Sequence, residues 1–162
     1  MLTRALLASA VLLALAPTAI ARAPQIHAHR GGTVVNGKAR FAEESLGAYK
    51  NAARNGFVLE VDAKLTEDRV AVALHDATLD RTTNCTGELR TFTLAELAGC
   101  RTDVLGSPGS PLPTRPASKP APIITIRALL DYAKRAGAKS TSRSRTSRAI
   151  PTSTPRPPTR TA

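Results

Sequence analysis

The sequence predicts an α/β fold built from parallel units, and two observations carry that expectation. Apolar alternating runs are interleaved with helix-patterned segments along most of the chain. Residues able to do chemistry gather where those runs end: His29-Arg30, the pair Glu60 and Asp62, and His75-Asp76. In parallel α/β folds, the carboxyl ends of strands are where connecting loops carry side chains over a ligand. At 162 residues the chain has enough length for one ordinary domain.

The elements follow in order. "MLTRALLASAVLLALAPTAIARA" has one Arg, an apolar run over 5–16 and then small residues, the layout of a secretory signal peptide over 1–21. Ala19-Ile20-Ala21 is the cleavage signal we expect; Ala21-Arg22-Ala23 is the alternative and would leave Pro24 first. The run is shorter than the ~20 residues that span a bilayer, Pro17 interrupts it, and no later stretch is apolar enough. We therefore expect export to the periplasm or beyond, with no stable membrane anchor. "PQIHAHRGG" reads as a strand over 25–29 broken by a Gly pair, and "EESLGAYKNAARNG" as a helix with acids at its start and Asn55-Gly56 as its stop.

"FVLEVDAKL" is a strand, Glu67-Asp68 a turn, and "VAVALHD" a further strand. "TFTLAELAGC" has capping-box spacing from Thr93 to Glu96 and reads as a short helix. Residues 106–122 are rich in Pro, Gly and Ser and read as a loop. "IITIRALLDYAKRAG" starts like a strand and continues as a helix ending at Gly137. Cys85 and Cys100 are the two cysteines. In an oxidising compartment they are expected to form a disulfide, contributing ~3 kcal/mol by restricting the unfolded chain.

The formal charge of +11 is unevenly spread. Residues 22–139 hold 17 basic and 12 acidic side chains, whereas the last 23 residues hold five Arg and no acid. The body is only mildly basic, which suits an anionic phosphate substrate. A nucleic-acid or anionic-surface binder would have to act through the Arg-rich tail. An exported Ser/Arg tail meets little nucleic acid, so no nucleic-acid partner is expected.

Side chains at i and i+2 of a strand share one face, so Glu60 and Asp62 point the same way. Two carboxylates that close call for a cation between them, and hard oxygens suit Ca²⁺ or Mg²⁺. Histidines beside such a metal can serve as general acid and base near neutral pH, and Arg matches the oxygens of a phosphate. Metal, His29, His75 and Arg30 together make a set able to cleave a phosphodiester.

The order of these motifs resembles the glycerophosphodiester phosphodiesterase family. "HAHRGG" is similar to its opening His-Arg-Gly signature and "AEESLGAYKNAARNG" to its Pro-Glu-Asn-[Ser/Thr] segment and following helix. "LEVDAKLTEDRVAVALHDATLDRTTNCTG" resembles its Glu-x-Asp strand, His-Asp strand end and Leu-Asp-Arg-Thr-Thr-Asn run. The resemblance implies a TIM barrel that hydrolyses glycerophosphodiesters to glycerol 3-phosphate and an alcohol, by way of a cyclic phosphate, with a divalent cation. It implies His29 and His75 as the acid/base pair, Arg30 on the phosphate, Glu60 and Asp62 on the metal, and Glu43 orienting Arg30 or meeting the substrate. Ala42 and Glu44 depart from the family's Pro and Asn.

The family takes another metal-binding acid from the next strand, which should follow Lys139. Instead, 20 of the 23 residues 140–162 are Ser, Thr, Arg or Pro. One reading is a disordered low-complexity tail. The other is a shifted reading frame: with Ser as TCN, Thr as ACN and Arg as AGR, a one-base shift turns "STSRSRT" into a pattern that permits "VNLEIKN". That is an alternating strand with an acid at the slot of Arg143. We therefore expect residues 22–139 to be a truncated barrel domain, about its first three strands, followed by a disordered, frame-shifted tail. Such a chain would be impaired in turnover, or would bind phosphate esters without catalysis.

Overall fold

The computed structural model describes residues 23–144. The expected signal peptide over 1–21 and the tail beyond 144 lie outside those residues. β1 (His27–Ala28) leads into a tight turn over His29–Gly31, with Arg30 and Gly31 at positive φ, then a small hairpin of β2 (Val34–Val35) and β3 (Lys38–Ala39). Helix α1 (Leu46–Arg54) follows, then β4 (Val58–Leu65) and β5 (Ala71–Ala73). After 3₁₀ turns at Leu89–Thr91 and Glu96–Gly99 come β6 (Arg101–Leu105), β7 (Arg115–Pro122), α2 (Ile126–Ala136) and β8 (Ser140–Ser144).

β4 is the centre. It pairs in parallel with β1, His27 opposite Val58, and with β8, from Leu59 opposite Ser140 to Ala63 opposite Ser144. Its two-residue period splits the strand chemically. Leu59 and Val61 pack into the main core with Tyr49 and Ala52 of α1 and Leu129 and Ala133 of α2. Glu60 and Asp62 take the opposite face. Both helices start where the sequence offers a cap: Ser45 Oγ accepts from the Ala48 amide, and Thr125 Oγ1 accepts from the Ala128 amide. Gly137, at φ 62°, closes α2 in the left-handed conformation, as its position past the last helical residue predicts. Glu43 and Glu44 precede α1 rather than forming its first turn.

Three expectations need correction. The His-Asp strand is not a parallel unit: β5 runs antiparallel to β4, with Ala63 opposite Ala73. The connection is too short for anything else, since a parallel crossover needs about a dozen residues or more. Thr66 closes the turn with Val70 at both N–H groups. Residues 106–122 are not all loop, because β7 pairs antiparallel with β6. Pro116, Pro120 and Pro122 are tolerated because β7 is an edge strand whose register is broken between Thr102 and Val104. Residues 140–144 are not disordered but form β8. The Leu59 amide donates to the Lys139 carbonyl at 2.8 Å, so the open ladder of β4 recruits this segment despite its polar composition.

A second, smaller core holds Val72, Leu74, Leu79, Leu89 and Leu97, with Phe92 against it. It is stitched by the expected Cys85–Cys100 disulfide, Cα–Cα 5.6 Å. The capping box is present: the Thr93 amide donates to Glu96 Oε2 at 2.7 Å and the Glu96 amide to Thr93 Oγ1 at 3.3 Å. It closes the turn that leads into a 3₁₀ segment, where an α-helix was expected. No helix among the described residues is long and apolar enough to cross a membrane.

The turn after β1 approaches α1 so closely that a Cβ on Gly31 would sit 2.8 Å from Ala48 Cβ, and its φ is +87°. Gly31→Ala is therefore expected to destabilise the fold by about 2 kcal/mol, from backbone strain plus overpacking. Urea unfolding of the two proteins measures it; equal midpoints would refute the contact.

Candidate active site

Arg30 is the hub. It takes a left-handed conformation, φ 51°, unusual outside Gly. That conformation aims its backbone N–H at Glu60 Oε2, 2.8 Å away, and turns its carbonyl to accept from the Glu44 amide at 3.0 Å. Its guanidinium meets Glu43 Oε2 at 3.1 Å and lies 3.6 Å from Asp62 Oδ2. Arg30 Nε is buried without a hydrogen-bond partner, the one such side-chain atom among the described residues. Glu43 and Asp62 are almost fully buried, so neither charge is offset by bulk water.

Glu43 joins this hub to a second one. Arg81 donates to it through Nη2, and Ser107 donates to its other oxygen. Burial works to raise the Glu43 pKa, but the hydrogen bonds from Arg81 and Ser107 and the two nearby guanidiniums outweigh it and hold the carboxyl below its ordinary range. Arg81 also donates to Asp76, whose other oxygen lies 2.6 Å from His75 Nδ1. The Arg81 hydrogen bond, against partial desolvation and with help from His75, pulls Asp76 down to about 2. Asp76 is thus an ionised partner that fixes the His75 ring and leaves Nε2 for a reactant. His29 is exposed in the turn beside Arg30. Both line a cleft of about 530 Å³, with Ser107 on its far wall.

The structure therefore brings Arg30, Glu43, Glu60 and Asp62 together, and ties in His75 through Asp76 and Arg81. Three contributors were not singled out in the sequence. Arg81 lies inside the Leu-Asp-Arg-Thr-Thr-Asn run and could have been found there. Ser107 sits in a low-complexity segment and carried no signal. Glu44, read only as a departure, is 2 % exposed and built into the site. Its Oε1 accepts from the Asp62 amide at 3.0 Å, and the Tyr49 hydroxyl donates to Oε2.

Burial, reinforced by the neighbouring Asp62 and Glu60 charges and only partly offset by these two hydrogen bonds, pushes Glu44 up to about 8. The folded chain keeps a proton that the unfolded chain releases above the ordinary glutamate value. Stability is therefore expected to fall as pH rises from about 4.5 to about 8 and then level off, by at most about 1.4 kcal/mol per pH unit from this group. Urea titrations at pH 5, 6, 7 and 8 test this; Glu44→Gln should flatten that part of the slope, and an unchanged slope would refute the assignment.

The model of the Glycerophosphoryl diester phosphodiesterase family matches residues 29–151. The chain belongs to this family. Among curated relatives, YhdW of Bacillus subtilis (strain 168) is 42% identical over 73 residues, covering 44% of this chain and 28% of its own length. Glycerophosphodiester phosphodiesterase 1 of Bos taurus is 39% identical over 71 residues, covering 43% and 20%. The chain thus spans about a quarter of the length of the curated relatives it matches. Among solved structures, a glycerophosphoryl diester phosphodiesterase from Parabacteroides distasonis ATCC 8503 superposes with a TM-score of 0.56 at 28% identity, over 80% of this chain and 40% of that one. An Oleispira antarctica phosphodiesterase in complex with the product sn-glycerol-3-phosphate gives 0.58 at 22% identity, over 75% and 44%. The described fold corresponds to part of the barrel of these glycerophosphodiester phosphodiesterases.

Proposed function

We propose that the chain carries the phosphate-binding and acid/base half of a site for metal-dependent hydrolysis of glycerophosphodiesters to glycerol 3-phosphate and an alcohol, and that turnover by this chain is impaired. The observation that carries the reading is the Arg30 guanidinium, which lines the cleft and is held by Glu43 and Asp62. A diester phosphate in the cleft would meet this guanidinium, whose planar fork suits that ligand. His75, oriented by Asp76, is placed to move a proton at Nε2, and the exposed His29 is the second acid/base group.

Glu60 and Asp62 are hard donors on one strand face and fit Ca²⁺ or Mg²⁺ in type. They do not complete a site: among the described residues no group of three or more His, Cys, Asp or Glu is arranged to hold a metal. The nearby Glu44 already uses its oxygens on the Asp62 amide and Tyr49. A bound divalent cation would supply charge stabilisation at the phosphoryl oxygens. The register position beside Asp62 on β8 is held by Arg143 rather than an acid. That observation supports the impairment and favours, as a second reading, phosphate-ester binding without turnover. The disulfide in the second core supports export.

The test is calorimetry with a panel of glycerophosphodiesters, followed by assay of glycerol 3-phosphate release with Ca²⁺ or Mg²⁺ present. Diester binding with little release is expected of the native chain. Where release is measurable, His75→Ala or His29→Ala should lower it ~10²–10⁴-fold. No diester binding would overturn the phosphate role of Arg30, and near-normal release in either His variant would remove that residue from the mechanism.

A further inference from the structure

We propose that Glu44 and Tyr49 are positioning residues that fix the β4 backbone at Glu60 and Asp62, so that both carboxylates face a divalent cation together. The inference rests on the cation reading above. Even-numbered residues of β4 turn their backbone groups towards β1: the Val58 amide donates to the Ile26 carbonyl at 2.9 Å. β1 stops early, its last register pair being Ala28 with Leu59. β5 takes up the same edge only from the Asp62 carbonyl, which accepts from the Leu74 amide at 3.1 Å. Between them lie the Glu60 carbonyl and the Asp62 amide, with no strand opposite.

Glu44 and Tyr49 fill that gap. The Glu44 carboxyl accepts from the Asp62 amide, while the Tyr49 hydroxyl, donating to the same carboxyl, lies 3.4 Å from the Glu60 carbonyl. Both side chains are almost fully buried, so water cannot stand in for them. Glu44 is itself pinned by its left-handed φ of 59° and by the hydrogen bond that its backbone N–H donates to the Arg30 carbonyl. Tyr49 sits one turn into α1 beyond the Ser45 cap. Two side chains thus replace a missing strand at the one stretch of β4 whose geometry sets the distance between the two carboxylates. Groups that orient metal ligands from behind in this way typically change metal affinity 10–100-fold when removed.

The experiment is titration of the full chain with Ca²⁺ alone, followed by calorimetry, alongside Glu44→Ala, Glu44→Gln, Tyr49→Phe and the core variant Leu129→Ala. Glu44→Ala should weaken Ca²⁺ binding roughly tenfold and speed hydrogen exchange at the Asp62 amide. Glu44→Gln keeps an oxygen for that amide, so it should retain most of the affinity. Tyr49→Phe should fall between them. Leu129→Ala should lower the melting temperature and leave affinity within about twofold, since Leu129 touches neither ligand. Native affinity in Glu44→Ala, no rescue by Gln, or an equal loss in Leu129→Ala would each overturn the brace while leaving the cation reading in place. No Ca²⁺ binding by the native chain would overturn both.

Discussion

The Arg143→Glu protein is expected to bind Ca²⁺ on the order of tenfold more tightly than the native chain. In the register of β4 and β8, residue 143 stands beside Asp62. Adjacent strands are ~4.8 Å apart, so the two backbones run side by side at this register. Reversing one charge changes its interaction with a divalent ion by four unit-charge products. At ~8 Å and water-like screening that is about 2 kcal/mol, enough for a tenfold effect after some loss to side-chain ordering. Calorimetry at low and at 0.5 M salt checks it, because a screened Coulomb gain must shrink with ionic strength. An unchanged affinity would mean that position 143 does not feel the ion, and the account of impairment would go with it.

Removing Arg30 should have the largest effect on stability. Arg30→Met would leave buried Asp62 without the guanidinium beside it and Glu43 with Arg81 as its remaining arginine partner. Breaking a buried pair from one side costs about 3–5 kcal/mol, because the partner charge stays in a poorly solvating environment. Under the cation reading, millimolar Ca²⁺ should recover part of that loss at neutral pH. Urea unfolding at pH 7.5, with and without Ca²⁺, measures both effects. A variant as stable as the native chain would show that Arg30 is not the hub of the cluster.

Much of this was legible in the sequence, and for identifiable reasons. Local signals were reliable where one residue does one job: Gly137 ending α2, Thr93 and Glu96 capping each other, Cys85 and Cys100 pairing. The period-two pattern of β4 put Glu60 and Asp62 on one face without any tertiary information. What failed depended on partners distant in sequence. β7 forms although it is rich in proline, because β6 offers it an edge where missing amides do no harm. β8 forms because β4 has an open ladder, which no composition argument on residues 140–144 could register. Ser107 reaches Glu43 across 64 residues, and a loop serine carries no mark of such a role. Glu44 is the instructive miss: judged by a family pattern it was a blemish, while its burial beside the Asp62 amide gives it a function.

The Cys85–Cys100 bridge has a consequence for where this chain can work. Thr83, two residues before the bridge, pairs with Thr102, two residues after it, and Arg81 extends from the same ribbon to hold Asp76 and Glu43. Cutting the sulfur link would lengthen the free arm on which Arg81 is carried, and the aim of the His75 ring depends on that arm. If His75 has the proposed acid/base role, a thiol-rich environment would therefore blunt it without touching the ring. The geometry around Asp76 is thus coupled to the redox state of its surroundings through a covalent bond that lies outside the cluster.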